Sequence, residues 1–414
     1  MNILILFPNY KFKFALDLLL EDHNIFIVHS IVPDYYKDKE WINYTPLGAH
    51  LIYLNVFEYP RIDEYYQEVL PLVENIIIEH KIDYIFPIAN ERSNLIIAKM
   101  NQKFNLIGIK ETHTNFLLKS IYYDKMESLN IPIPIKYKLT DEKKFPVIVK
   151  PSLGFASFGV KILYNEEEIK DWFRLDHPKI HPYQISVDGK HSHLEYAHQN
   201  CGYIIQEYIK SDLITIAGRV FFNKIYFDFV CDIISSPPPY CSEIRLQWPS
   251  KYGEEIFSKI FNDCRKFLKD IELNQSHFMF DVLIVNHNYY FIDFGMRLPA
   301  NPQALIHACD IYYTKNWMNH LFNNKKYILQ KKPNFFIINE NFQLQKGVIT
   351  NIEMTQEVDV FDYTLPKIGT KVFLPRNDLF LSFNGDVTVK EKSLQDADNK
   401  LNKFYSNLKI TFDI

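Results

Sequence analysis

The apolar positions of this chain fall first into a repeating alternation. Residues 1–7, 25–31, 51–56 and 82–88 are short apolar runs of strand length, and residues 12–22, 62–80 and 93–102 between them read as helices. Strand–helix–strand alternation predicts a parallel sheet with helices packed on it, over roughly residues 1–110. Residues 111–134 continue as helix until Ile131-Pro132-Ile133-Pro134 breaks the pattern. The rhythm then changes to strands at 146–150, 160–163, 203–209, 215–217 and 225–234, with helices at 166–174 and 254–269. Two apolar runs, 278–285 and 289–295, flank Asn286-His287-Asn288 and predict a β-hairpin with a three-residue turn. A helix over 302–322, a linker and strand over 332–341, and a β-rich tail follow. The tail has strands at 347–352, 370–373, 379–382 and 387–389 and closes with a helix over 393–408. The fold class is α/β followed by α+β, divided at 1–110, 111–202, 203–330 and 331–414.

The totals narrow the setting. At 414 residues the chain exceeds one compact core, and 47% hydrophobic with 23% charged residues is the composition of an ordinary folded protein. A net charge of −4 with no Lys/Arg-rich run supplies no field for nucleic acid. Asn2, Asn9, Lys11 and Lys13 interrupt the apolar start, so neither a signal peptide nor a membrane span is expected there. Cys201, Cys231, Cys241, Cys264 and Cys309 are scattered, with no CxxC pair, which points to a reducing cytoplasm. The first strand lacks GxGxxG, so a dinucleotide fingerprint is absent.

Candidate chemistry concentrates in the hairpin. Asp281 and Asp293 lie one on each strand, and a three-residue turn would set them face to face, with Gly295 and Arg297 continuing the same side. Opposed like charges destabilise a strand pair, and a buried carboxylate without a partner is costly. A divalent cation would remove both costs; solvated acids on an exposed hairpin would avoid them equally well. Lys150 ends a strand that Pro151 terminates, before the small-residue loop 152–159, whose amides and Ser157 hydroxyl can hold phosphate oxygens. Residues 203–209 end at Lys210-Ser211-Asp212, a break that offers backbone groups to an adenine edge and Asp212 to ribose hydroxyls, or is an edge hairpin. Lys125 on its helix reads by itself as a surface lysine. Glu91 follows a strand at the carboxyl edge where open α/β sheets bind ligands, or caps a helix. His191, His193 and Glu195 alternate as metal ligands can, but within a polar stretch that reads as a solvated excursion.

The order of these features resembles the ATP-grasp superfamily, in particular carboxylate–amine (L-amino acid) ligases and, more distantly, D-alanine–D-alanine ligases and biotin carboxylases. The resemblance spans nearly the whole chain and implies an N-terminal α/β domain, a two-lobed grasp and a small β-rich C-terminal domain. It implies that Lys125 and Lys150 hold nucleotide phosphates, and that 152–159 is a phosphate lid with Ser157 and Gly159 at the matching places. Gln206, Glu207 and Ile209 would read adenine through the main chain, with Asp212 near the ribose. Asp281 and Asp293 would hold Mg²⁺ or Mn²⁺, and Arg297 would steady an acyl phosphate.

The chain departs from the family pattern at several positions. Asp293 stands where the family usually has Glu, Gly295 where it has Asn, Met279 where some members have Arg, and Leu213 where the ribose acid falls. The implied activity is ATP-dependent joining of a carboxylate to an amine, with release of ADP and phosphate. A carboxyphosphate-forming carboxylase and a nucleotide-binding protein without catalysis are the alternatives. Small-molecule substrates, with specificity in Glu91, residues 235–249 and those after Arg297, are expected, and a homodimer is compatible.

Overall fold

The computed structural model describes residues 1–8, 10–31, 44–57, 62–88, 91–152, 160–174, 203–236, 243–298, 303–308, 313–323, 335–372 and 385–413. The N-terminal part is the expected parallel sheet. Asn2–Leu6 lies between Asn24–Ile31 and Tyr84–Ile85, with His50–Phe57 outside Asn24–Ile31. Ile3, Leu4, Ile5 and Leu6 are all fully buried, which is why this strand reads as an unbroken apolar run rather than an alternating one.

An eight-stranded antiparallel sheet forms the body of the molecule. Its order is Asn288–Gly295, Ser276–Val285, Asp212–Phe221, Lys224–Ser235, Glu243–Trp248, Phe336–Asn341, Asp386–Glu391 and Asp362–Thr364. One face of its first strands packs on the helix Glu254–Asp270, where Ile256, Ile260, Cys264 and Phe267 meet Ile214, Ile216, Phe280 and Val282. The other face meets the N-terminal sheet, with Ala217, Phe229 and Cys231 in one core with Ile3, Ile5 and Tyr84. A separate four-stranded sheet, Lys136–Tyr137, Tyr203–Glu207, Val147–Pro151 and Lys161–Leu163, has its own core of Val147, Val149, Leu163, Ile169 and Ile205.

Several elements differ from expectation. The stretch 235–249, which reads as a proline-rich loop, contains the strand Glu243–Trp248, paired on both sides. The strand expected within 332–341 is Phe336–Asn341, and it continues the large sheet, so residues on either side of position 331 share one sheet. After its helix, Leu394–Asn407, the tail ends in another strand, Leu408–Asp413, paired with Gly347–Met354. The predicted strand at 379–382 lies outside the described residues, as do residues 191–195. Among the described residues no helix is long and apolar enough to cross a membrane.

A buried polar link ties the two ends of the chain. Lys11 donates to Asn341 Oδ1 at 2.7 Å and lies 3.7 Å from Asp386, while Asn341 Nδ2 donates to the carbonyl of Glu243 at 3.2 Å. Lys11 is 5% and Asp386 6% exposed, so neither charge has bulk water as an alternative. Replacing Lys11 by Met is expected to lower the thermal unfolding midpoint by several degrees, because stranding a buried carboxylate costs about 3–5 kcal/mol. Differential scanning calorimetry at neutral pH checks this, and an unchanged midpoint would mean the link carries no stability.

Candidate active site

The hairpin places the two aspartates directly opposite one another, Asp281 against Asp293, but not through a three-residue turn. Val285 pairs with Asn288, so the turn is Asn286-His287, both at positive φ (47° and 65°), the two-residue form whose twist suits a hairpin. That register alone would set Ile292 opposite Asp281. A β-bulge restores the opposition, since the pairing jumps from Val282–Phe291 to Asp281–Asp293 and leaves Ile292 as the extra residue.

Charge and burial make this pair the most constrained point of the site. Burial, then the neighbouring Asp293 charge, raises the Asp281 carboxyl to about 7; the Thr215 hydroxyl on the adjacent strand and Arg297 pull the other way, and Glu243 adds to the rise. Asp281 Oδ1 is buried with no hydrogen-bond partner among the described residues. Asp293 Oδ1 accepts from Lys119 Nζ at 2.9 Å and from the backbone N–H of Phe294 at 2.9 Å. Lys150, only 5% exposed, donates to the Tyr123 hydroxyl at 2.5 Å and to the Ile292 carbonyl at 3.2 Å. Burial and the Lys119 charge pull the Lys150 ammonium down to about 7, against the two aspartates. The site thus holds two acids and two lysines close together in a largely buried setting.

The surroundings come from three directions. Leu298 N–H donates to the Pro87 carbonyl at 2.9 Å and pairs as an isolated bridge with Ile88, which brings Arg297 to the carboxyl edge of the N-terminal sheet. Lys119 N–H donates to the Ser152 carbonyl at 2.7 Å, and the Ser120 and Ser152 hydroxyls lie 2.9 Å apart, so the entry to the loop 152–159 is tethered beside Lys119. Gly295 faces Met279 across the hairpin, and a Cβ at 295 would meet Met279 Cγ at 3.0 Å. The departures at 279 and 295 are therefore one packing change, in which the methionine covers the glycine.

Solved structures similar to this one share a fold. The L-amino acid ligase from Bacillus licheniformis superposes with a TM-score of 0.76 at 14% identity, over 100% of this chain and 99% of that one. The biotin carboxylase domain of 2-oxoglutarate carboxylase from Hydrogenobacter thermophilus, in complex with MgADP, ADP and bicarbonate, gives 0.71 at 13%, over 99% and 90%. Phosphoribosylglycinamide synthetase from Anaerococcus prevotii gives 0.64 at 17%, over 100% and 99%. No family model matches the sequence, and no curated protein matches it. The chain has the ATP-grasp fold.

Within the ATP-grasp frame the residues singled out in the sequence divide. Asp281, Asp293, Lys150 and Arg297 come together. Lys125 does not join them, since it pairs with Asp270 at 2.8 Å, and the lysine beside the carboxylates is Lys119. A signal for this was present: Lys119, Tyr122, Tyr123 and Met126 form the buried stripe of the helix Lys119–Ser128, and Lys125 lies off it. Gln206 is fully buried, with its side chain beside the Tyr123 hydroxyl. The Glu207 N–H is taken by the Ile135 carbonyl, and the Ile209 carbonyl accepts from Ser211 at 3.2 Å. Asp212 opposes Ile284, three positions from the Thr215–Asp281 pair, so it projects from the other face of the sheet. There it accepts from Lys251 at 2.7 Å and from the Tyr252 hydroxyl. Ser157 and Gly159 lie outside the described residues, as does the side chain of Glu91.

The donors fit a hard divalent cation. Two opposed carboxylates, one with an orphaned buried oxygen, supply oxygen ligands of the kind Mg²⁺ takes alongside water and phosphate. Among the described residues no third His, Cys, Asp or Glu joins them in a metal-holding group.

In the cation-free protein, Asp281 holds its proton up to about 7 while the unfolded chain loses it near the ordinary carboxylate value. The folded state therefore binds more protons between roughly pH 4 and 7, and stability falls as pH rises through that window. Asp281→Asn is expected to raise the melting temperature in EDTA at pH 8, to leave it nearly unchanged near pH 4, and to abolish further stabilisation by added Mg²⁺. Melting curves at the two pH values, with and without Mg²⁺, provide the check.

Proposed function

We propose that this protein is an ATP-dependent ligase that activates a carboxylate as an acyl phosphate and joins it to an amine, releasing ADP and phosphate. The observation that carries this reading is the opposed pair Asp281–Asp293 with Lys119 and Lys150 beside it. An array of that kind is suited to a polyphosphate and a hard cation. Similarity in fold to an L-amino acid ligase makes amino acids the first substrates to consider.

The residues take separate roles. Lys119 and Lys150 would hold the nucleotide phosphates, whose negative charge favours the protonated form of Lys150. Asp281 and Asp293 would hold Mg²⁺, which when bound supplies charge neutralisation at the phosphate oxygens. A carboxylate oxygen of the first substrate attacks the γ-phosphorus, the bond to the β-phosphate oxygen breaks, and ADP leaves. Positioning and charge carry most of such a transfer. The amine of the second substrate then attacks the acyl carbon; inorganic phosphate leaves and the nitrogen loses a proton. Arg297, a permanent cation beside Asp281, would steady the acyl phosphate and the tetrahedral oxyanion formed when the amine attacks it, and a donor to such an oxyanion is commonly worth about 2.7–4 kcal/mol. The loop 152–159 is proposed to exclude water, which would otherwise hydrolyse the intermediate.

Two other readings have observations of their own. Biotin carboxylases are among the similar folds, which favours testing bicarbonate as the activated group. Met279 packed over Gly295 leaves no polar side chain at either position, which favours a nucleotide-binding protein without turnover.

A coupled assay of ADP release against amino acids in pairs, with Asp293→Asn as the blank, separates these readings. Ligation predicts ADP release that depends on both substrates; formation of AMP would refute the acyl phosphate route. Stimulation by bicarbonate alone would favour carboxylation, and nucleotide binding without turnover would favour the third reading. A second expectation concerns the lysines. Lys119→Met should weaken MgATP binding at least tenfold, whereas Lys125→Met should change it less than twofold, as measured by isothermal titration calorimetry.

A further inference from the structure

One buried group in this site has no part in the proposed chemistry yet touches Lys150, which does, and Ile292, the bulge residue beside Asp293. Tyr123 is fully buried on the helix Lys119–Ser128. Its hydroxyl lies 2.5 Å from the Ile292 carbonyl and 2.5 Å from Lys150 Nζ, and the same ammonium sits 5.0 Å from the centre of the Tyr123 ring. A carbonyl only accepts, and with Lys150 as its ammonium, which only donates, the hydroxyl gives its proton to Ile292 and takes one from Lys150.

We propose that the Tyr123 hydroxyl is a positioning group of this site, holding Lys150 and the bulge at Ile292 in a single arrangement. The inference rests on the nucleotide reading given above. Three segments distant in sequence meet at one oxygen: the helix Lys119–Ser128, the strand Val147–Pro151 and the hairpin strand Asn288–Gly295. Each contact has a consequence. Lysine carries its charge on a flexible four-carbon stem, and a fixed acceptor selects one direction for it. Ile292 is the extra residue of the bulge, and without the bulge it would stand opposite Asp281 in place of Asp293. A one-residue slip in a strand sends each side chain to the other face. Anchoring the Ile292 carbonyl therefore helps to keep Asp293 facing Asp281. Tyr123→Phe would keep the ring and remove only the oxygen that does both.

The test is a double-mutant cycle read by calorimetric binding of MgADP to the full-length protein, using wild type, Tyr123→Phe, Lys150→Met and the double variant. Tyr123→Phe is expected to weaken binding about tenfold, and the double variant to bind within threefold of Lys150→Met alone, since groups acting through one another are not additive. Losses that multiply, or a Tyr123→Phe protein within twofold of wild type, would overturn the proposal. A merely structural role predicts losses that multiply. Should Tyr123→Phe not fold, p-aminophenylalanine at position 123 keeps the ring and a donor for Ile292 but offers Lys150 only a weak acceptor. It is expected to bind at least threefold more weakly than wild type, and binding within twofold of wild type would overturn the idea. A wild type with no affinity for MgADP removes the nucleotide reading and this proposal together, whereas binding with multiplying losses removes the proposal alone.

Discussion

Two carboxylates set face to face across a hairpin are the constraint on which the rest of this site depends. Like charges directly opposed destabilise a strand pair, and removing a carboxylate from water costs several kcal/mol per ion unless it is matched. The molecule handles the two acids differently. Asp293 is matched by Lys119, while Asp281 is held towards its protonated form by burial and by Asp293 itself. A hairpin selected for stability alone would carry hydrophobic residues at these positions, as its neighbours Phe280, Val282, Phe291 and Phe294 do. The acids are kept at a cost, and the surrounding lysines and arginine make that cost bearable.

The described residues on the helix side of the pair are well packed. The hairpin's helix-facing residues belong to one large core with the helix Glu254–Asp270, and Tyr122 stacks on Phe294 with ring centroids 5.8 Å apart. Lys119, Tyr122, Tyr123 and Met126 run along one buried stripe, so the same helix face supplies both packing and chemistry. Lys150 arrives from the smaller sheet and reaches the hairpin main chain at Ile292. The site is therefore built at the meeting of separate cores, where no one element could satisfy its charges.

The sheet on which the acids sit is shared more widely than their neighbourhood suggests. The strand Phe336–Asn341 follows Glu243–Trp248 in the large sheet, and through Asn341 it connects Lys11 near the start of the chain with the backbone of Glu243. Glu243 in turn adds to the negative field at Asp281.

Local pattern was enough for much of this. Apolar runs and their spacing gave the parallel N-terminal sheet, the helix Glu254–Asp270 and the hairpin, because burial of one face or both imposes a period that survives in sequence. That Asp281, Asp293, Lys150 and Arg297 deserved notice was also legible, since charged residues at the ends or interiors of apolar strands stand out, and the structure brings them together. What pattern could not decide was which atoms meet. The opposition of the acids was expected from a three-residue turn, yet it arises from a two-residue turn followed by a bulge. A bulge is a backbone event, and here its carbonyl at Ile292 accepts from Tyr123 and Lys150, residues more than a hundred positions away. Lys119 and Lys125 stand on one helix, and only packing separates the lysine facing the carboxylates from the one paired with Asp270. Asp212, adjacent to the position expected of a ribose acid, was turned to the opposite face by a single step of strand register. Composition and periodicity are properties of neighbours along the chain; register, helix facing and charge pairing are settled by neighbours in space.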